Sequence, residues 1–127
     1  MRKTLVIAAA AALISSAAFG KAMTSVPEAV TVTDYYKQNV YDPSDKKIGE
    51  IKDVLIGSDG KVVAFIVEVG GFIGAGSKDV AVPFTDVKGT KKNDKWYLTM
   101  NADKDELKNA PGMKYDRGTT RWVPDKS

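Results

Sequence analysis

The sequence predicts a mainly β domain, a small six-stranded antiparallel barrel with one short C-terminal helix. Short segments with alternating or continuous apolar residues follow one another between residues 39 and 100. Turn-forming residues, such as those at positions 57–60, separate these segments. A helix-capping pattern appears once, after the last segment. Short strands at this spacing are typical of small, partly closed barrels.

The first segment, residues 1–20, has the three-part pattern of a secretory signal peptide. Arg2 and Lys3 precede an apolar run, and small residues follow it. Cleavage is expected after Gly20, with cleavage after Ala22 as the alternative. A membrane anchor is the competing interpretation, but the apolar run is shorter than the roughly 20 residues of a spanning helix. We therefore expect a periplasmic or secreted bacterial protein with no stable membrane insertion after cleavage.

Composition excludes several kinds of site. The 127 residues include no cysteine and no histidine. Disulfides, zinc or haem sites that need these residues, and Ser-His-Asp or Cys-His catalytic groups are therefore excluded. Of 19 basic and 16 acidic residues, only Arg2 and Lys3 fall within residues 1–20, so the mature chain has 17 against 16, or +1. This balance gives no support to nucleic-acid binding, and we expect no cofactor and no metal.

The predicted domain covers residues 35–112. A leader at residues 21–34 is expected to be extended or disordered, and a tail at residues 113–127 to be irregular and to pack on the domain through Trp122. The first strand is predicted at residues 39–41. The turn after it contains Asp42 and Asp45, whose carboxylates are also ligands that calcium prefers, but turn chemistry accounts for them and the EF-hand pattern is absent.

The second strand is predicted at residues 48–56, where the apolar positions break strict alternation. A β-bulge near Lys52 and Asp53 restores the alternation, and bulges bend strands in barrels. A helix is the alternative interpretation of the same spacing. Gly49 and the turn that ends at Gly60 argue against a helix.

The remaining strands are predicted at residues 61–69, 79–84, 86–91 and 95–100. The strand at residues 61–69 is apolar on both faces, so we expect it to be central, with its second face covered.

A short helix is expected within residues 101–109. Asp103 and Glu106 form a capping box, and Leu107 is the expected buried contact. Pro111 marks the end of this segment.

An ordered set of short motifs runs through the domain. It comprises Ile48-Gly49-Glu50-Ile51, Asp53, Gly70-Gly71-Phe72-Ile73-Gly74, Val80 to Val82, Pro83 and Ala110-Pro111. In this order the motifs resemble the PRC-barrel family, which includes the photosynthetic reaction-centre H subunit and a ribosome maturation factor. The resemblance implies a six-stranded antiparallel barrel that serves as a docking or assembly module without chemistry common to the family. The structural positions that we assign are Gly49, Asp53, Gly60, Gly70, Gly71, Gly74, Pro83, Leu107 and Pro111.

The glycine-rich run at residues 70–76 has two interpretations besides a nucleotide site. A phosphate-binding loop needs its glycines to open a helix, whereas a strand follows here. The glycines instead supply positive φ and close backbone approach in a connection between strands. Phe72 and Ile73 are apolar residues in this connection, which makes them candidate contacts for a partner.

Three carboxylates, Glu50, Asp53 and Glu68, are the candidates for acid–base chemistry in or near strands. A pair with separated pKa values is able to hydrolyse glycosides. Asp53 is better explained as an acceptor at a turn or bulge, and Glu68 as a paired or edge residue. We therefore predict a non-enzymatic, exported module that binds an unidentified protein or a second copy of itself. A small-ligand carrier is the alternative, and a carboxylate-dependent hydrolase ranks below it.

Overall fold

The computed structural model describes residues 21–72 and 76–126. The chain separates into two units, Met1–Val30 and Thr31–Ser127. In the first unit the described residues, 21–30, are exposed and form neither helix nor strand. The predicted signal peptide at residues 1–20 lies outside the described residues. Within the described ranges, no helix has the length and apolar character needed to span a membrane.

The described part of the second unit consists mainly of short strands. In chain order its elements are the 3-10 helix η1 (Val32–Asp34), β1 (Asn39–Tyr41), β2 (Lys47–Ile56), β3 (Val62–Phe72), β4 (Gly76–Pro83), the 3-10 helix η2 (Phe84–Asp86), β5 (Val87–Lys92), β6 (Lys95–Met100), the α-helix α1 (Lys104–Lys108), β7 (Met113–Asp116) and β8 (Arg121–Pro124).

Strands β1 to β6 form one sheet in the order β4-β3-β2-β1-β6-β5. This confirms the mainly β class and the six predicted strands. The prediction of an antiparallel, partly closed barrel was wrong in its strand directions and its closure. Strands β1 and β6 run parallel, and the sheet does not close, since β4 and β5 remain as edges. The chain leaves one edge after β4 and re-enters at the other with β5. The β5–β6 hairpin therefore meets β1 with its second strand running in the same direction as β1.

The link between the two sheet edges forces the sheet to curl. Only the three residues of η2 separate Pro83, the end of β4, from Val87, the start of β5. These four peptide steps span at most about 14 Å. A flat sheet would hold its outer strands five spacings, or about 24 Å, apart. The sheet must therefore bend until its edges approach at this end, which gives it a concave and a convex face.

The concave face encloses the hydrophobic core. Its buried residues come from all six strands and from α1: Val40, Ile48, Ile51, Phe65, Val67, Val69, Val80, Val82, Val87, Leu98, Met100 and Leu107. Leu107 is the buried residue of α1, as predicted, and the capping box between Asp103 and Glu106 is present. The core is thus filled by the protein's own side chains.

Two further contacts close this core. The Lys78 ammonium on β4 donates hydrogen bonds to the carbonyl oxygens of Lys108 and Ala110, the latter at 2.7 Å, and so holds the end of α1. Tyr35 lies with its ring centroid 5.0 Å from that of Phe65 and 6.0 Å from that of Phe84. Burial, with a smaller effect of the Asp34 charge, raises the pKa of Tyr35.

The tail differs from its predicted irregular structure. Residues 113–124 form an antiparallel hairpin, β7–β8, in which Tyr115 pairs with Trp122. The rings of Tyr115 and Trp122 meet edge to face at 5.7 Å. The sequence pattern did not reveal the hairpin because its turn relies on Thr120 at φ 55°, a conformation that a β-branched residue rarely adopts.

The hairpin lies against the convex face of the sheet. Ile66 in β3 is fully buried but does not belong to the core on the concave face. Its register partner on β2 is Asp53, which accepts a hydrogen bond from Trp122, and β7 contacts β4. Strand β3 is thus an interior strand, one position from the β4 edge, and its second face is buried at Ile66.

Replacing Gly49 with alanine tests how closely β2 approaches β3. A Cβ at position 49 would lie 2.5 Å from Val67 Cγ1 and 2.9 Å from the Glu68 carbonyl oxygen. We expect Gly49→Ala to lower the free energy of unfolding by about 1–3 kcal/mol, measured by urea denaturation. Gly70→Ala is the control, because its Cβ would meet the Ser77 Cβ at an ordinary 3.5 Å. Equal losses in both variants would show that this close approach does not govern stability.

Candidate functional site

The glycine-rich segment forms the end of the β3–β4 hairpin. Strand β3 continues to Phe72, which pairs with Gly76 at the start of β4. Between Val69 and Phe72 the register shifts, so Gly70 and Gly71 occupy a bulge. Gly76 has a positive φ of 71°. The connection is therefore shorter than predicted, and a strand follows it where a phosphate-binding loop would need a helix.

Of the two candidate contact residues, Phe72 lies at the end of this hairpin, which we call the hairpin tip. The backbone of Phe72 ends β3, and Ile73 lies outside the described residues, as does Gly74. The hairpin tip therefore has an apolar residue, Phe72, and a second apolar residue follows it in the sequence. The hairpin is a rigid support for this tip, since β3 is paired on both sides by β2 and β4.

Asp53 marks the predicted bulge in β2. The β2–β3 register shifts between Ile51 and Asp53, which confirms the bulge. One carboxylate oxygen of Asp53 accepts from the Val54 amide at 2.9 Å, and the other accepts from Trp122 Nε1 at 2.7 Å. Both oxygens thus serve structural hydrogen bonds. Through Trp122, Asp53 connects the β7–β8 hairpin to β2 of the sheet.

The other two candidate carboxylates come together without Asp53. Glu50 on β2 stands directly opposite Glu68 on β3. Glu68 accepts a hydrogen bond from the Ser77 hydroxyl at 3.0 Å. Lys52 forms an ion pair with Asp79 at 2.9 Å. The hydrogen bond to Asp79 raises the pKa of Lys52, and the charges of Asp79 and Glu68 act in the same direction against the opposing effect of burial.

Glu50, Glu68 and Ser77 line an open groove of about 380 Å³. Lys47 and Lys104 line the same groove. Facing glutamates repel each other unless a cation or proton lies between them. The groove therefore presents two facing carboxylates with lysines beside them.

A larger groove of about 780 Å³ lies over β5 and β6 on the convex face. Its lining includes Asp86, Lys88, Lys92 and Tyr97, together with the turn around Asp42. Asp42 accepts hydrogen bonds from the amides of Ser44 and Lys46. Its carboxylate therefore stabilises the turn, as expected. The groove has an acidic end at this turn and a basic side along β5.

Aromatic rings and a lysine form a row across three strands beside this groove. The Tyr41 ring on β1 stacks on the Tyr97 ring on β6, with centroids 4.9 Å apart and planes 11° from parallel. The Lys92 ammonium on β5 lies 4.2 Å from the Tyr97 ring centroid. Such cross-strand contacts stabilise neighbouring strands. Here they brace the short parallel pairing of β1 with β6. Sequence alternation alone gave no sign of this row, because it depends on that pairing.

The other predicted structural positions serve turns and packing. Gly60 adopts φ 87° in the turn between β2 and β3. Pro83 ends β4 and precedes η2. Pro111 lies between α1 and β7. These positions shape the scaffold that carries the hairpin tip and the grooves.

Comparison with known proteins identifies the domain. The family model described as PRC-barrel domain matches residues 27–107. The match spans η1 to α1, whereas β7 and β8 lie beyond it. A search of curated proteins found no match.

Removing the Trp122 hydrogen bond tests the attachment of the β7–β8 hairpin. We expect Trp122→Phe to lower the free energy of unfolding by about 1–2 kcal/mol, because Asp53 loses its donor. Urea denaturation measures this loss, and hydrogen exchange should become faster in β7 and β8. Tyr115→Phe is the control, since it keeps the ring of a residue that is 43% exposed. A Trp122→Phe variant as stable as Tyr115→Phe would contradict the proposed attachment.

Proposed function

Because the chain belongs to the PRC-barrel domain family, we propose that it is a non-catalytic, exported module that binds another protein in the bacterial cell envelope. The observation that carries the proposal is the β3–β4 hairpin, whose strands are hydrogen-bonded to each other. Strand β3 ends at Phe72, and the sequence continues with Ile73-Gly74-Ala75. An apolar tip on a rigid hairpin supplies a hydrophobic anchor at small entropic cost.

The interior of the domain supports binding at the surface over binding inside the sheet. Twelve buried side chains fill the concave face of the described domain. Small barrels are commonly filled in this way. A carrier would instead need an internal cavity lined by apolar groups with a few polar ones. The two grooves described above are open and lie on the surface.

The carboxylates support the same proposal. Asp53, one of the three acid–base candidates, accepts two hydrogen bonds that hold the fold, one at each carboxylate oxygen. Glu50 and Glu68 face each other on an open strip. Export is part of the proposal and is based on the pattern of residues 1–20.

The proposal is tested by introducing a charged residue at the hairpin tip with Phe72→Asp. Full-length protein and the Phe72→Asp variant are expressed in the native cells, mildly crosslinked and recovered with their covalent neighbours. We expect Phe72→Asp to reduce the yield of a specific crosslinked partner, or of a crosslinked dimer, by roughly thirtyfold, as for an interfacial hot spot.

Val63→Asp is the matched control, because Val63 lies near the opposite end of β3 and is 51% exposed. It should retain the crosslinked product, and both variants should keep their urea midpoints within about 1 kcal/mol of the parent. An unchanged product in Phe72→Asp would rule out the hairpin tip as the contact.

A further inference from the structure

The two edges of the curled sheet differ in how far the chain itself covers them. At the β4 edge, β7 makes contact and Lys78 binds the end of α1. At the β5 edge, the main neighbour in the described part of the chain is β6, on the other side of the strand. Residues Lys88, Thr90, Lys91 and Lys92 are exposed there. Strand β5 is therefore the open edge of the sheet.

The register shows which backbone groups point outward from this edge. A two-residue turn, with Asn93 at φ 49° and Asp94 at φ 65°, joins β5 to β6. In such a hairpin the residues that flank the turn, Lys92 and Lys95, form a hydrogen-bonded pair. Pairs alternate along an antiparallel ladder. Gly89 and Lys91 therefore direct their N–H and C=O groups away from β6.

These outward groups are unoccupied within the described chain. Outside the strand ladders, no backbone hydrogen bond of the described residues involves Gly89 or Lys91. Gly89 and Lys91 thus offer two N–H donors and two C=O acceptors, spaced as they are along the edge of a β-strand. This is the arrangement to which an extended peptide adds as a further strand.

The charge of the edge specifies the partner. Of the six residues of β5, three are lysines and none is acidic. Lys95 stands opposite Lys92, and Lys88, Lys91, Lys92 and Lys95 form no ion pair within the described chain. Like charges disfavour pairing with the same edge of a second copy. Asp86 and Asp94 flank the strand, so the basic centre of the edge lies between them.

We propose that β5 is a docking edge for an extended, acidic segment of a partner protein, which adds to the sheet beside Gly89 and Lys91. Alternate side chains of the segment lie over the groove bordered by Lys88 and Lys92. Backbone hydrogen bonds provide affinity, and the lysines select carboxylate side chains. The edge is a surface separate from the hairpin tip at Phe72, so the proposal does not depend on that tip.

The test measures binding of a fluorescent peptide of alternating glutamate and threonine to the full chain at low salt, by fluorescence anisotropy. The matched peptide has lysine in place of glutamate. We expect the acidic peptide to bind and the basic one not to bind, with affinity falling as salt rises. Equal binding of the two peptides, or binding of neither, would overturn the proposal.

Two variants at one position separate charge from backbone pairing. Lys91→Ala removes one charge and should weaken binding by about two- to fivefold. Lys91→Pro also removes the outward N–H, which an edge strand tolerates, and should weaken binding about fivefold further. Equal affinities of Lys91→Ala and Lys91→Pro would exclude strand addition.

A measurement on the parent protein avoids the possibility that a substituted variant loses binding through misfolding. In the parent protein, the amides of Gly89 and Lys91 should show the largest chemical-shift changes and gain protection from hydrogen exchange when the acidic peptide binds. Changes centred elsewhere would overturn the proposal. Phe72→Asp should leave peptide binding unaltered, so failure of the hairpin-tip contact and failure of the edge contact are distinguishable.

Discussion

The short link between β4 and β5 is the constraint on which the rest of the domain depends. Three residues of η2 connect strands that stand at opposite edges of a six-stranded sheet. The sheet must curl, and curling creates a concave face that apolar residues of every strand fill. Phe84, in the link itself, packs against Phe65 of β3, with 5.4 Å between the ring centroids, and so anchors the bend to that strand.

Curling also creates a convex face, and the tail hairpin binds to part of it. The bulge at Asp53 turns a carboxylate toward this face, and Trp122 from the tail hairpin binds it. Ile66, the register partner of Asp53 in β3, is fully buried on this face. The β5 side of the same face has no such cover and carries lysines instead.

Much of the secondary structure was predictable from the sequence because local patterns determine it. Alternating apolar residues located the strands, Gly60 and Asp42 marked turns, and the Asp103 capping box located α1. The bulge was predictable because the apolar positions of β2 break their alternation. Each of these features is decided by residues within a few positions of one another.

The features that were missed depend on contacts between distant residues. The parallel pairing of Val40 with Leu98 follows from the path of the chain across the sheet, which no local pattern records. The two strands of the tail hairpin have only four residues each, and Asp53 lies 69 residues from its partner Trp122. The hydrogen bond from Lys78 to the Ala110 carbonyl oxygen likewise joins residues 32 positions apart, which no local pattern indicates. The candidate contacts Phe72 and Ile73 were chosen from composition, and the fold adds the paired hairpin that supports them.

The most direct test of the central claim, an exported protein-binding module, is mass spectrometry of the native protein after mild crosslinking in its own cells. It reports the mature N-terminus and the covalent neighbours in one experiment. The account predicts a chain that begins at Lys21 or Met23 and carries a reproducible protein neighbour. A chain that retains Met1, or one recovered without any protein neighbour, would contradict it.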